Sequence, residues 1–110
     1  MAIAIGTAHG AYKTRPCLDI GRLKEIRNAI DTPLVLHGGS GLSDDDFKNT
    51  IKNGITKVNI FTDLCVAGEN AANEKLSGFN GYLALRAARV AAMKKAVIDK
   101  MMLFGSNGRV

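Results

Sequence analysis

The stretch Leu34-Val35-Leu36-His37-Gly38-Gly39-Ser40-Gly41 decides the reading of this chain. Three apolar residues with no polar alternation read as a strand buried on both faces, and Pro33 marks where it starts. A histidine and a glycine-rich turn follow at once. The same order occurs near the N-terminus, in Ala2-Ile3-Ala4-Ile5-Gly6-Thr7-Ala8-His9-Gly10. His9 and His37 are the only histidines in the chain, and each directly precedes a glycine after an apolar run. They occupy equivalent places in a repeated unit, at the carboxyl end of a strand, where α/β folds put metal ligands and phosphate-binding glycines.

Working outward, each apolar run leads through a polar loop into a helical pattern. The first strand is expected at Ala2 to Ile5. Leu18, Leu23, Ile26 and Ile30 then recur at helical spacing, with Arg22, Lys24, Glu25 and Arg27 directed outward. After the second strand, Ser43-Asp44-Asp45-Asp46 supplies an N-cap serine with a carboxylate three residues on. That helix runs through Phe47 and Ile51 to a glycine stop at Gly54. A third strand is expected at Lys57 to Phe61, with Thr62 capping the helix beyond. Gly78 and Gly81 separate that helix from a last one over Tyr82 to Lys100.

Strand starts recur about every 25 to 30 residues, the length of one strand–helix unit. Such units imply parallel strands with right-handed crossovers. Three units fall short of the eight units and ~250 residues of a closed barrel. Alone they would leave two apolar edges open, which implies association or membership of a longer protein.

Composition narrows the function classes. With 110 residues and 46% hydrophobic content, the chain is the size of one globular domain. No apolar run approaches the ~20 residues of a membrane span. No basic stretch precedes the first apolar run, so the cytoplasm is the expected location. Cys17 and Cys65 lack metal-ligand or redox spacing and are expected to be reduced and partly buried. A net charge of +5 favours an anionic partner. Scattered basic residues and an aromatic content of 5% offer no stacking platform, which argues against nucleic acid and leaves anionic small molecules such as sugar phosphates.

The loops carry the chemistry. Two imidazoles on adjacent strand ends can ligate zinc, one short of the usual three protein ligands. A lone histidine is usually a hydrogen-bonded core residue; the equivalence of His9 and His37 favours the ligand reading. Gly38-Gly39-Ser40-Gly41 lets backbone N–H groups approach an anion, although a glycine cluster also suits a plain tight turn. Lys13 could add a positive charge, and Asn59, Thr62 and Ser40 add polar groups. Thr62 has the simpler role of a helix cap. Together the loops describe a metal site beside a phosphate site, suited to metal-assisted chemistry on a phosphorylated carbonyl compound.

Three segments carry a specific likeness, in order and spacing: Gly6-Thr7-Ala8-His9-Gly10-Ala11-Tyr12-Lys13, Pro33 through Gly41, and Lys57-Val58-Asn59-Ile60. They resemble the class II, zinc-dependent fructose-bisphosphate and tagatose-bisphosphate aldolases. The likeness covers the whole chain, ending at a Gly105-Ser106 segment similar to the family's C-terminus. It implies an α/β fold in which residues 1–110 form the C-terminal portion of a (β/α)8 TIM barrel domain, incomplete as a barrel on its own. It also implies reversible cleavage of a ketose bisphosphate to dihydroxyacetone phosphate and a glyceraldehyde phosphate.

By that resemblance His9 and His37 are two of three zinc ligands. Zinc would act as a Lewis acid that polarises the ketone and stabilises the enediolate. Gly10, Lys13, Gly38, Gly39, Ser40, Asn59, Ile60, Phe61 and Thr62 would surround the dihydroxyacetone phosphate end. Arg86 would reach the other phosphate, in some members across a dimer. A monovalent cation near the phosphate loop is also implied.

Two departures stand out. Phe61 occupies a position where many members carry aspartate or alanine. The chain also starts just before the strand bearing His9, so the third histidine and the catalytic aspartate are expected in a missing N-terminal portion. Asp44 to Asp46 read as capping groups and not as a replacement. The expectation is therefore part of a longer or split aldolase, inactive alone. The alternative is a non-catalytic module that keeps phosphate binding or an assembly role. Fructose and tagatose differ at one hydroxyl's stereochemistry, and both remain open.

Overall fold

The structure, a computed structural model, describes residues 1–10, 12–76 and 81–109. The chain divides into two compact units, Met1–Ile60 and Phe61–Val110.

The first unit is a three-stranded parallel sheet with two helices. Its strands are β1 (Ala2–Ile3), β2 (Leu34–Leu36) and β3 (Ile55–Val58), in the order β1-β2-β3. Helix α1 (Ile20–Ala29) connects β1 to β2, and α2 (Asp44–Lys52) connects β2 to β3. The repeated strand–helix pattern thus folds as expected from the sequence. The arrangement is part of a (β/α)8 barrel.

β2 is the central strand, and its register follows from two parallel ladders. Ala2 and Ile3 pair with Val35 and Leu36, while Val35 and Leu36 pair with Lys57 and Val58. Leu34 pairs with Ile55, so the β2–β3 ladder carries an irregularity between Leu34 and Val35. Thr56 is the extra residue there. Its hydroxyl donates to the Leu34 carbonyl at 3.0 Å, so a polar side chain bonds across the ladder at the irregularity.

Two strand limits differ from the sequence expectation. β1 stops at Ile3, not Ile5. Ile5 is buried, but its carbonyl leaves the ladder and accepts from Asp19 N–H at 2.9 Å, anchoring the start of α1. β3 covers Ile55–Val58 in place of Lys57 to Phe61. It starts directly after Gly54, whose φ of +112° completes the turn out of α2. Its ladder ends with Asn59 N–H donating to the Leu36 carbonyl at 2.9 Å.

Helix ends are set by named caps. Asp19 caps α1, its carboxylate accepting from Arg22 N–H at 2.8 Å. Ser43 and Asp46 form a reciprocal capping box on α2, as the sequence spacing predicts. Asp46 N–H donates to Ser43 Oγ, and Ser43 N–H donates to an Asp46 carboxylate oxygen, both at 3.2 Å. The core lies between helices and sheet and consists of Ile5, Leu23, Leu34, Leu36, Leu42, Phe47 and Ile55.

The second unit contains α3 (Thr62–Leu76) and α4 (Gly81–Phe104). Thr62 is the first residue of α3, and the Phe61 carbonyl accepts from the N–H groups of Leu64 and Cys65. Buried Gly68 lets the helices approach closely, since a Cβ there would sit 3.2 Å from Met93 Sδ. Asp63 and Lys100 form a half-buried ion pair at 3.0 Å. α4 extends past the expected Lys100 to Phe104, where Gly105 at φ +65° and a Ser106 N–H to Met101 carbonyl bond close it. Gly81 opens α4, while Gly78 lies outside the described residues. Both cysteines are free, as expected, but exposed and not partly buried: Cys17 sits in the loop before the α1 cap and Cys65 in the first turn of α3. No helix among the described residues is long and apolar enough to cross a membrane.

Candidate functional site: a histidine pair beside a glycine turn

Adjacent parallel strands bring their carboxyl ends to the same edge of the sheet, so the loops after β1 and β2 lie side by side. Those loops carry His9 and His37. Their ring centroids are 5.5 Å apart and the planes are inclined at 67°. His37 is half-buried and His9 exposed. The loop after β3 adds Asn59, whose amide nitrogen lies 3.4 Å from Nδ1 and 3.2 Å from Nε2 of His37. Asn59 can donate to an unprotonated ring nitrogen or, turned over, accept through its oxygen from a ring N–H.

The glycine turn is built by contact with both flanking loops. Gly38 has φ +63°, and a Cβ there would lie 2.2 Å from the Ala8 carbonyl oxygen. Only glycine lets the His37 loop press against the backbone next to His9. Gly39 lies over the core: a Cβ there would meet Ile60 Cδ1 and Val58 Cγ1 at 3.0 Å and Phe47 Cε1 at 3.2 Å. Ser40 is buried.

The first unit therefore brings together His9, His37, Gly38, Gly39, Asn59 and Ile60, with Ser40 next in the turn. Gly10 and Lys13 are exposed on the loop after β1. Phe61, Thr62 and Arg86 belong to the second unit. Phe61 is 76% exposed, Thr62 opens α3, and Arg86 is exposed on α4, where it lines a cavity of about 230 Å³ with Tyr82, Leu85, Arg89, Val90 and Met93.

Tyr12 was not among the residues singled out from the sequence. Its hydroxyl accepts from Ala8 N–H at 3.0 Å and donates to the Gly38 carbonyl at 2.7 Å. An amphipathic aromatic residue in a short polar loop is the signal that could have identified it.

The sequence matches the class II fructose-bisphosphate aldolase family over residues 1–109. The chain belongs to this family. This aldolase-family chain is 42% identical to the uncharacterized protein YdjI of Escherichia coli K12 over 109 residues, 99% of the chain and 38% of YdjI. The crystal structure of the E. coli YdjI aldolase superposes with a TM-score of 0.87 at 40% identity, covering 98% of this chain and 39% of that one. A candidate fructose-1,6-bisphosphate aldolase of Coccidioides immitis gives a TM-score of 0.89 at 32% identity, over 98% and 38% of the two chains. The fructose-bisphosphate aldolase of Campylobacter jejuni gives 0.69 at 25% identity, over 94% and 39%. The aldolase-family chain thus spans about two fifths of the length of these relatives.

The family implies zinc, and the residues present suit it in part. Imidazole nitrogens about 2.0–2.1 Å from a tetrahedral zinc place two ligand rings roughly 5 Å apart, centre to centre. The observed separation of 5.5 Å meets that requirement. Among the described residues no group of three or more histidine, cysteine, aspartate or glutamate side chains could hold a metal. The pair suits two positions of a metal shell.

Proposed function

We propose that this chain forms the phosphate-binding and two-histidine part of an enzyme that reversibly cleaves a ketose 1,6-bisphosphate into dihydroxyacetone phosphate and glyceraldehyde 3-phosphate. The observation that carries this reading is the approach of His9 and His37 on adjacent strand ends beside the Gly38-Gly39-Ser40 turn. When bound, zinc would supply Lewis-acid polarisation of the substrate ketone. His9 and His37 would hold it, with Asn59 orienting the His37 ring. Gly38, Gly39 and Ser40, with Gly10 and Lys13, would bind the phosphate of the dihydroxyacetone half through backbone N–H groups, a hydroxyl and one ammonium charge. Ile60, Phe61 and Thr62 would continue that subsite, and Arg86 would meet the second phosphate. A monovalent cation would sit near the phosphate turn.

The acid/base aspartate and the third zinc ligand would come from an N-terminal portion of the aldolase barrel, of which residues 1–110 are the C-terminal portion. The chain would act in the cytoplasm, as a homo-oligomer or joined to that portion. Calorimetry with dihydroxyacetone phosphate, alone and with a relative's N-terminal fragment, tests the reading. Zinc-dependent binding that strengthens with the fragment, together with aldol cleavage in a coupled assay, is expected. Failure to bind in both settings would overturn it. Binding without turnover in both would favour the second reading, a catalytically incomplete module that retains phosphate binding or an assembly role.

A further inference from the structure

The Tyr12 hydroxyl joins the two loops that carry the histidines. It accepts from the N–H of Ala8, the residue before His9, and donates to the carbonyl of Gly38, the residue after His37. The loops already touch at these two residues, because the missing Cβ of Gly38 leaves room for the Ala8 carbonyl. The Tyr12 ring packs beside Gly41, where a Cβ would lie 3.2 Å from Cδ2, so the glycine turn also has to leave room for the tyrosine. Each histidine is therefore one peptide unit away from an atom bonded to the same phenol oxygen. We propose that Tyr12 is a positioning residue: its hydroxyl, by bridging Ala8 and Gly38, sets the separation of the His9 and His37 imidazoles. The inference rests on reading those imidazoles as a ligand pair.

Each loop emerges from a short strand, and β1 contributes only two residues to the ladder. A change in hydrogen bonding at the loops shifts the rings directly, since His9 is exposed and the core does not enclose it. The phenol makes two hydrogen bonds, one exposed and one half-buried, each of small net worth. The effect on a ligand held by both rings is thus roughly five- to tenfold in affinity.

The test uses the full chain and the variants Tyr12→Phe and Ser43→Ala. The second loses the α2 capping box and controls for a general loss of stability. Nuclear Overhauser contacts between the two imidazoles, measured without metal, report the ring separation independently of any zinc reading. Cobalt(II) and zinc titrations report the affinity of the pair. Tyr12→Phe is expected to weaken the inter-ring contacts and reduce metal affinity about five- to tenfold, while Ser43→Ala changes stability alone. Inter-ring contacts unchanged in Tyr12→Phe, or equally weakened in Ser43→Ala, would overturn the inference. Weakened contacts in a chain with no metal affinity at all would uphold the positioning role and refute the zinc reading. If Tyr12→Phe fails to fold, O-methyltyrosine at position 12 keeps the ring and the oxygen and lacks the donor to Gly38. The inter-ring contacts should weaken in it, and contacts equal to those of the unsubstituted chain would overturn the inference.

Discussion

At the scale of single residues, Gly38 and Gly39 are adjacent glycines needed for different reasons. Gly38 combines a left-handed φ of +63° with a Cβ position 2.2 Å from the Ala8 carbonyl oxygen. Alanine there strains the backbone and collides with a main-chain atom that cannot move aside. Gly39 is outside the left-handed region, and its neighbours at 3.0 Å are side-chain tips of Ile60 and Val58. Gly38→Ala is therefore expected to cost about 1–3 kcal/mol from backbone strain alone, with the collision added. Gly39→Ala should cost less than Gly38→Ala, through overpacking of about 1 kcal/mol or more. Urea titrations of the two variants check the order, and a larger loss at Gly39 would contradict the close approach of the loops. The histidines were legible at this scale because the residue pattern repeats. Tyr12 was not, because nothing local indicates which distant carbonyl a phenol will reach.

At the scale of elements, short-range chemistry explains what the sequence revealed. Pro33 and Gly38 bracket β2, whose limits were read correctly. Ser43 with Asp46 makes a cap whose partners lie three residues apart, so it needs no tertiary information. Ser43→Ala is expected to lower stability by about 1 kcal/mol, and Asp46→Ala should add little to it because both remove the same box. Thermal or urea denaturation of the single and double variants measures this coupling. β3 was misplaced for the converse reason. The stretch Lys57 to Phe61, apolar except at Lys57 and Asn59, reads as a strand, but pairing with β2 sets the ladder, and Thr56 enters it by giving its hydroxyl to Leu34. Phe47, fully buried against the sheet face, anchors α2, and Phe47→Ala should cost about 3–5 kcal/mol in the same measurement.

At the scale of the whole molecule, the chain carries two fifths of an aldolase relative's length, and its donor set contains two imidazoles. The isolated chain is expected to bind zinc weakly and to show no aldol cleavage in a coupled assay. Adding an N-terminal portion that brings a third ligand should restore zinc-dependent turnover, and a chelator should abolish it. Turnover by the chain alone would contradict the assignment of the acid/base group to that portion. Large apolar side chains stand exposed on α4, among them Leu83 at 75% and Met102 at 60%. Surfaces of this kind accompany association, and sedimentation of the chain with and without the N-terminal portion measures it.

By itself the sequence determined the alternation of strands and helices, the cap at Ser43, and the presence of two equivalent histidines. Each of these depends on residue order within a few positions. The tertiary structure alone decided the 5.5 Å approach of the imidazoles, the register that admits Thr56 and the bridge made by Tyr12. Those features join residues some 20 to 30 positions apart, and parallel pairing of β2 with β1 and with β3 is what brings them together.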